Sequence, residues 1–502
     1  MEKIPVDKEA TRFKKHLDLE ENQRIILSGI FGIGKSYFIE EFFGKHQEEY
    51  ILFKLNPVNY TVSNNEDIFE LIKFDIAFQI LAQDVDFEKF EIDSGIFDQY
   101  YLVTHYNEVI KTLLSNLKKI DHRVDAVVSS VMELEKKIQN KKEDLEIDEK
   151  AQLKLFIERF YSGNGIREEN DITILINSLL QNLREQHKDK KIVLAIDDLD
   201  RIDPEHIFRI LNVFSAHFDF LDGKNKFDFH KVILICDVEN IRGIFHHRYG
   251  TDIDFTGYID KFYSIEVFHY NLREVIVEYL PAFLSKIRTN NSELKTSFES
   301  KKESTYYSNE IVRILGDFVR LNVINMRSLI NFLRSEIYIE SYEIDVRKVG
   351  YSQPYNTGVP LLIIFDFLEK MLGGPLEIER ALIKAQEVFP YVRFHGMQSW
   401  WDRTVGSAIM LLEVRKNFLE PSGKLEFKDA ELDLKAIYEI YRYDGYGVYA
   451  DISKIGDFKE DFNTESTQTS FSRKEIRKEV IPYYQLLLQA YRAKQKLRRV
   501  NY

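Results

Sequence analysis

Gly29-Ile30-Phe31-Gly32-Ile33-Gly34-Lys35-Ser36 carries the residue types and spacing of a phosphate cradle, G-x-x-x-x-G-K-[ST]. Small glycines let backbone N–H groups curl around a phosphate, and a following helix N-terminus adds favourable partial charge. Lys35 would reach the β- and γ-phosphates, and the Ser36 hydroxyl would bind Mg²⁺. Gly29, Gly32, Ile33, Gly34 and Tyr37 complete the expected contact set. Such a cradle demands a second site, an acid at the end of a buried strand that holds the metal through water. Ile192-Val193-Leu194-Ala195-Ile196-Asp197-Asp198 supplies it. Asp197 would face the metal, and Asp198 is placed to polarise the attacking water. The chemistry these residues suit is attack of water on a nucleoside triphosphate.

The elements that must position these groups are legible on either side. Arg24–Ser28 reads as a short buried strand before the loop, and 37–43 as a helix ended by Gly44. Five apolar residues at 192–196 suit a parallel strand covered on both faces. Pro204 fits the first turn of a helix with Asp203 as its N-cap, and Ile207, Ile210, Leu211 and Phe214 give that helix an apolar stripe. A further strand, Lys231–Cys236, ends in Asp237. Ligands of open α/β sheets bind at strand carboxyl ends, so Asp237 is a candidate γ-phosphate sensor; an N-cap before Val238 is an equally good reading. An early strand fits Tyr50–Leu55 and a last one Phe262–Val267. Five strands separated by helices predict an α/β fold with a parallel sheet.

Composition narrows the class. A chain of 502 residues suggests about three domains. Hydrophobic residues make up 44% and charged residues 30%, a balance suited to packed cores rather than disorder. The lone cysteine, Cys236, excludes an intramolecular disulfide and a Cys-based zinc site, and it reads as a buried strand thiol. Met1-Glu2-Lys3-Ile4-Pro5 lacks a basic-then-apolar signal. No uncharged run reaches the ~18–20 residues of a membrane span. The expected compartment is the cytoplasm, with no membrane partner. A net charge of -13 argues against general coating of nucleic acid.

Together these residues resemble the KAP family of P-loop NTPases. The resemblance rests on GIFGIGKS at 29–36, IDDLDRIDPEHIFRIL at 196–211, the strand ending in Asp237, and Gly257-Tyr258-Ile259-Asp260-Lys261-Phe262. Leu55-Asn56-Pro57-Val58-Asn59-Tyr60 is similar to the Asn-aromatic turn of such proteins. Asn325-Met326-Arg327-Ser328-Leu329-Ile330-Asn331-Phe332 resembles the family's Arg-containing helix after the core. By that match Arg327 is a candidate for a catalytic basic group at the γ-phosphate, with a salt-bridged helix arginine as the alternative and Arg201, Arg242 and Arg248 as rivals. The resemblance covers roughly residues 10–340. It implies a three-layer P-loop core, ATP or GTP hydrolysis with Mg²⁺, conformational switching and oligomerisation. Bacterial members are often tied to defence against phage, which implies a co-encoded effector, since the chain shows no second catalytic motif.

One segment departs from the family pattern. Many members insert transmembrane helices between the P-loop and the metal-binding strand; here the insertion, about 105–160, is amphipathic. Ile110, Leu113, Leu117, Ile120, Val124, Val127, Val131, Leu134 and Ile138 step by three and four, the seam of a coiled coil. Its partner could be residues 151–160 in a hairpin or the same seam of another subunit; short connections favour the hairpin. The expected organisation is an NTPase core at 1–270, a helical lid at 271–345, and a mainly helical part at 346–502. Within the lid 292–309 reads as a polar loop. The aromatic run Tyr438–Tyr449 fits either a recognition surface or packed core with a turn at Asp444-Gly445. Residues 472–502 hold nine Lys or Arg against two Glu, a basic tail that could contact nucleic acid or face water. The reading is a Mg²⁺-dependent ATPase used as a switch or oligomeric assembly platform, with a nucleotide-stabilised scaffold or a nucleic-acid motor as alternatives.

Overall fold

Lys191–Ile196 (β3) and Lys231–Cys236 (β4) are runs of apolar, largely β-branched residues, and both are buried almost throughout. Strands of that kind need helices on both faces. They lie in a five-stranded parallel sheet with Arg24–Ser28 (β1), Tyr50–Leu55 (β2) and Phe268–His269 (β5), ordered β2-β3-β4-β1-β5. Alternate residues divide the sheet between two cores. Ile26, Leu194, Ile196, Val232 and Leu234 join one hydrophobic cluster, while Ile25, Leu27, Val193, Ala195 and Ile233 are equally buried on the opposite face. This is the three-layer α/β architecture of a P-loop NTPase. The computed structural model describes residues 4–60, 68–83, 110–111, 113, 124–144, 171–216, 227–299, 306–333, 336–339, 342–344, 355–356, 359–393, 399–413, 425–443, 447–459 and 480–499. They divide into two compact units, Val6–Asn271 and Leu272–Tyr502 with Met1–Pro5.

In the N-terminal unit Asp7–Asp18 (α1) buries Phe13 edge-on against Phe38 and Phe42 of the P-loop helix, Lys35–Lys45 (α2), and against Phe268 of β5. Ile68–Leu81 (α3) is apolar nearly all round, which in water requires cover on every side. Part of that cover comes from the insertion. Val124–Asp144 (α4) packs on α3, and Asp171–Gln186 (α5) packs there too. Val127, Val131 and Leu134 of the seam are buried in the same cluster as Phe69, Ile72 and Ile76. The described part of the seam is therefore covered at least in part by α3. Residues 151–160, proposed as the returning arm, lie outside the described residues.

The last strand differs from its expected place at 262–267. Phe262 ends a short turn of helix, and Ile265 is exposed. Ser264 N–H donates to the Arg24 carbonyl at 2.9 Å, but the chain enters register with β1 only at Leu27↔Phe268. β-Propensity at 263–267 marked an approach, not the strand, because pairing depends on where β1 leaves an edge free.

The C-terminal unit is mainly helical. Arg273–Leu284, Ser292–Glu299 and Tyr306–Arg320 follow one another along the chain. Ser292–Glu299, expected as part of a polar loop, is helical because Leu294, Ser297 and Phe298 give it one buried face; residues 300–305 lie outside the described set. Further helices are Met326–Phe332, Pro360–Leu372, Pro375–Val388, Ser399–Glu413 and Tyr483–Lys494. The aromatic run forms an antiparallel hairpin, Leu434–Tyr443 with Gly447–Gly456, flanked by Leu425–Asp429. Tyr438 is fully buried, which favours the packed-core reading there. Within the basic tail Tyr483–Lys494 is a core helix. Its Lys494 is buried between Asp366 at 2.7 Å and Glu369 at 2.8 Å, and Arg492 pairs with Glu379 at 2.7 Å. These two cations are committed to carboxylates; Arg473, Lys474, Arg477 and Lys478 lie outside the described residues.

Candidate nucleotide site

The P-loop runs from the carboxyl end of β1 into α2. Gly29 donates its N–H to the Cys236 carbonyl at 3.1 Å, and a Cβ there would stand 3.0 Å from the Tyr270 carbonyl oxygen, close enough that a larger residue would press the two segments apart. Gly34 caps α2 with φ of 99°, a left-handed conformation that glycine adopts without strain. It has no side chain to satisfy the first amides of α2, which an α-helix leaves without intrahelical partners. Gly32 also has positive φ. Ile33 is buried beneath the loop, with its N–H bonded to the Ile30 carbonyl at 3.3 Å, so it braces the cradle. Lys35 is buried, and its ammonium donates to the carbonyls of Gly29 at 2.6 Å and Ile30 at 3.4 Å. Ser36 and Tyr37 are partly buried in the first turn of α2. A concave glycine loop, a helix start without a side-chain cap and a lysine folded into the loop fit a polyphosphate.

β4 separates the P-loop strand from β3, whose carboxyl end carries the acids. Asp197 is 2% exposed; its N–H still pairs with the Leu55 carbonyl at 2.9 Å, and its Oδ1 accepts the Asp198 N–H at 2.9 Å. Its Oδ2 lies 3.4 Å from Lys54 Nζ of β2, which also contacts Glu40 of α2 at 2.8 Å. Asp198 turns the chain with φ of 54°, a conformation that aspartate tolerates better than most residues. Its carboxylate pairs with Arg201 at 2.7 Å, and the Arg201 guanidinium lies 5.4 Å from the ring centroid of Phe31 in the P-loop. A P-loop magnesium ion takes most of its ligands from phosphate and water. Ser36 and Asp197 would suffice from the protein, and among the described residues no group of three or more His, Cys, Asp or Glu forms a dedicated cage.

Asp237 caps Val238–Tyr249, accepting the Glu239 N–H at 3.1 Å. Burial pushes its carboxyl above the usual range, with the Glu239 amide and the Lys35 ammonium pulling it back and Asp200 adding to the rise. Of its two expected roles the cap is the one its hydrogen bond fills, and Lys35 lies near enough to act on its charge. Burial also pushes the Cys236 thiol far up, which suits a packed strand residue and not a nucleophile. Among the rival arginines, Arg248 pairs with Glu205 at 3.0 Å and Arg242 with Glu239 at 3.5 Å. Arg327 is exposed in the first turn of Met326–Phe332, in the C-terminal unit.

Sequence reasoning passed over Lys54 and Glu40. A lysine inside Tyr50-Ile51-Leu52-Phe53-Lys54-Leu55 is a charge near the carboxyl end of an otherwise apolar strand, and that was the available signal. Glu40 is exposed on α2 and gave none.

The sheet order, the loop and the acid-tipped strand define a P-loop nucleotide-binding domain. Residues 7–338 match the KAP family P-loop domain, and the chain belongs to that family. Family membership supports nucleoside triphosphatase activity in general terms. A comparison with curated proteins finds no match. Among the described residues no helix is long and apolar enough to cross a membrane.

Proposed function

We propose that the chain is a Mg²⁺-dependent ATPase that works as a conformational switch or oligomeric assembly platform. The observation that carries this reading is the common edge at which the P-loop after β1 and Asp197-Asp198 after β3 stand on either side of β4. In this reading Lys35 and the loop amides bind and orient the β- and γ-phosphates. Ser36 and Asp197 hold the metal, which supplies neutralisation of charge on the transferred phosphoryl group. Asp198 accepts a proton from water, after giving up Arg201. Asp237 reports the γ-phosphate, and Arg327 is the candidate catalytic basic group. The setting the family suggests is bacterial anti-phage defence in the cytoplasm, as a homo-oligomer with a separate co-encoded effector. Nucleic acid bound through the basic C-terminal segment would draw on residues other than Arg492 and Lys494.

A second reading, a nucleotide-stabilised scaffold with negligible hydrolysis, is favoured by the Asp198–Arg201 ion pair, which occupies the expected base. Phosphate release by wild type, Lys35→Ala and Asp198→Asn separates the two. The ATPase reading expects release by wild type well above both variants, with nucleic acid and partner proteins supplied. Equal release by all three would sink it in favour of the scaffold.

A further inference from the structure

Asp197 Oδ2 faces Lys54 Nζ at 3.4 Å, and the same ammonium reaches Glu40 Oε1 at 2.8 Å. The three groups come from three elements: the end of β3, the edge strand β2 and the P-loop helix α2. The lysine is held there by its backbone. Gln79 of α3 accepts the Lys54 N–H at 3.0 Å and donates to the Lys54 carbonyl at 2.8 Å, while Asp75 accepts from the same Gln79 amide at 2.9 Å. At Lys54 alone, that bracket pairs the backbone groups of the free β2 edge as a neighbouring strand would. It leaves the side chain to choose between two carboxylates of very different burial. Asp197 is 2% exposed and Glu40 is 64% exposed. Burial opposes the charge on Lys54, and Glu40 and Asp197 together restore it and raise its pKa.

We propose that Lys54 is a built-in competitor for the metal at Asp197, and that Glu40, already the nearer partner, holds Lys54 when the metal binds. This rests on reading Asp197 as the metal acid. A cation beside a carboxylate lowers the affinity of that carboxylate for a second cation, and the effect is greatest where water screens least. Asp197 is nearly dry, so the ammonium and Mg²⁺ compete for one oxygen environment. Glu40 sits on the P-loop helix, so the release of Asp197 with Lys54 kept by Glu40, the handover, ties metal arrival to the element that carries Lys35 and Ser36. Lys54 is thus a positioning residue that sets how much metal the site requires.

Binding of a non-hydrolysable ATP analogue is measured by calorimetry at stepped Mg²⁺ concentrations, with Mn²⁺ uptake followed by loss of its free-ion magnetic resonance signal. Lys54→Met should reach half-maximal nucleotide affinity at a Mg²⁺ concentration lower by on the order of tenfold. Glu40→Gln, a change at an exposed site, should raise the requirement severalfold, because Lys54 then keeps Asp197. The double variant should match Lys54→Met alone. An unchanged or raised requirement in Lys54→Met, or an unchanged one in Glu40→Gln, overturns the competition. A Glu40→Gln effect that survives without Lys54 overturns the handover. Wild type that binds the analogue equally with and without Mg²⁺ removes the metal reading of Asp197 along with this inference. Metal-dependent binding that is the same in wild type and Lys54→Met removes this inference alone.

Discussion

In the N-terminal unit several charged groups gather at strand ends and in the P-loop, within reach of groups that a ligand could replace. Lys35 lies against loop carbonyls, Lys54 reaches two carboxylates, and Asp198 holds a half-exposed arginine. The C-terminal unit places several charges inside the helical bundle and surrounds them with partners. Glu310 is fully buried; it accepts from Arg313 at 3.1 Å and from the Tyr483 hydroxyl, while the Arg313 guanidinium lies 4.0 Å from the Tyr483 ring centroid. Asp317 accepts from Tyr484, and Lys494 bridges Asp366 and Glu369, the latter also taking the Tyr491 hydroxyl at 3.0 Å. Burial pushes the Tyr483 and Tyr484 phenols up, and the Glu310 carboxylate holds the Arg313 charge firmly in place. Charges left with alternatives suit a site whose occupancy changes. Charges with every bond made fix one packing and are costly to break.

The comparison breaks most visibly at Glu310. Glu310→Ala leaves Arg313 buried without its closest carboxylate and should cost about 3–5 kcal/mol of stability, read from urea unfolding of the C-terminal unit. A loss below about 1 kcal/mol would show that the buried network is not structural. Lys35→Ala is the counterpart in the N-terminal unit. It should lower phosphate release by on the order of 10²–10³, the scale of removing one preorganised donor, while the urea midpoint stays near that of wild type. An unfolded Lys35→Ala protein would place Lys35 among the structural charges instead. Asp203→Ala removes the N-cap of Pro204–Leu211, whose carboxylate accepts the Glu205 N–H at 2.8 Å, and should cost about 1 kcal/mol. At the smallest end stands Glu377→Gln. It breaks an exposed pair with Arg380 and should change stability by less than about 0.5 kcal/mol, which calibrates how little an exposed charge contributes in the same unit as Glu310.

Much of the nucleotide site was readable because its signals are local. A glycine pattern, an apolar run ending in two aspartates, and Asp203-Pro204 as a helix start each lie within a few residues, and β1 to β4 follow the expected runs. The insertion was legible only in part, because amphipathic spacing shows that a face must be covered without naming what covers it; α3, apolar nearly all round, was the complementary sign. In the basic tail charge was legible and burial was not: Tyr483, Leu486, Leu487 and Tyr491 make Tyr483–Lys494 a buried helix that carries Lys494 inward with it.

Sequence alone determined the phosphate cradle, the acid pair and the family to which they belong, because each is set by backbone conformations and residue types a few positions apart. Tertiary structure decided which side chains contest those acids. Lys54 and Asp197 are 143 positions apart, and they meet only because β2 pairs with β3 in register from Tyr50↔Lys191 to Leu55↔Ile196. Phe31 meets Arg201 only because β4 alone separates β1 from β3. Strand order is fixed by long-range packing of whole faces, and no local periodicity encodes it.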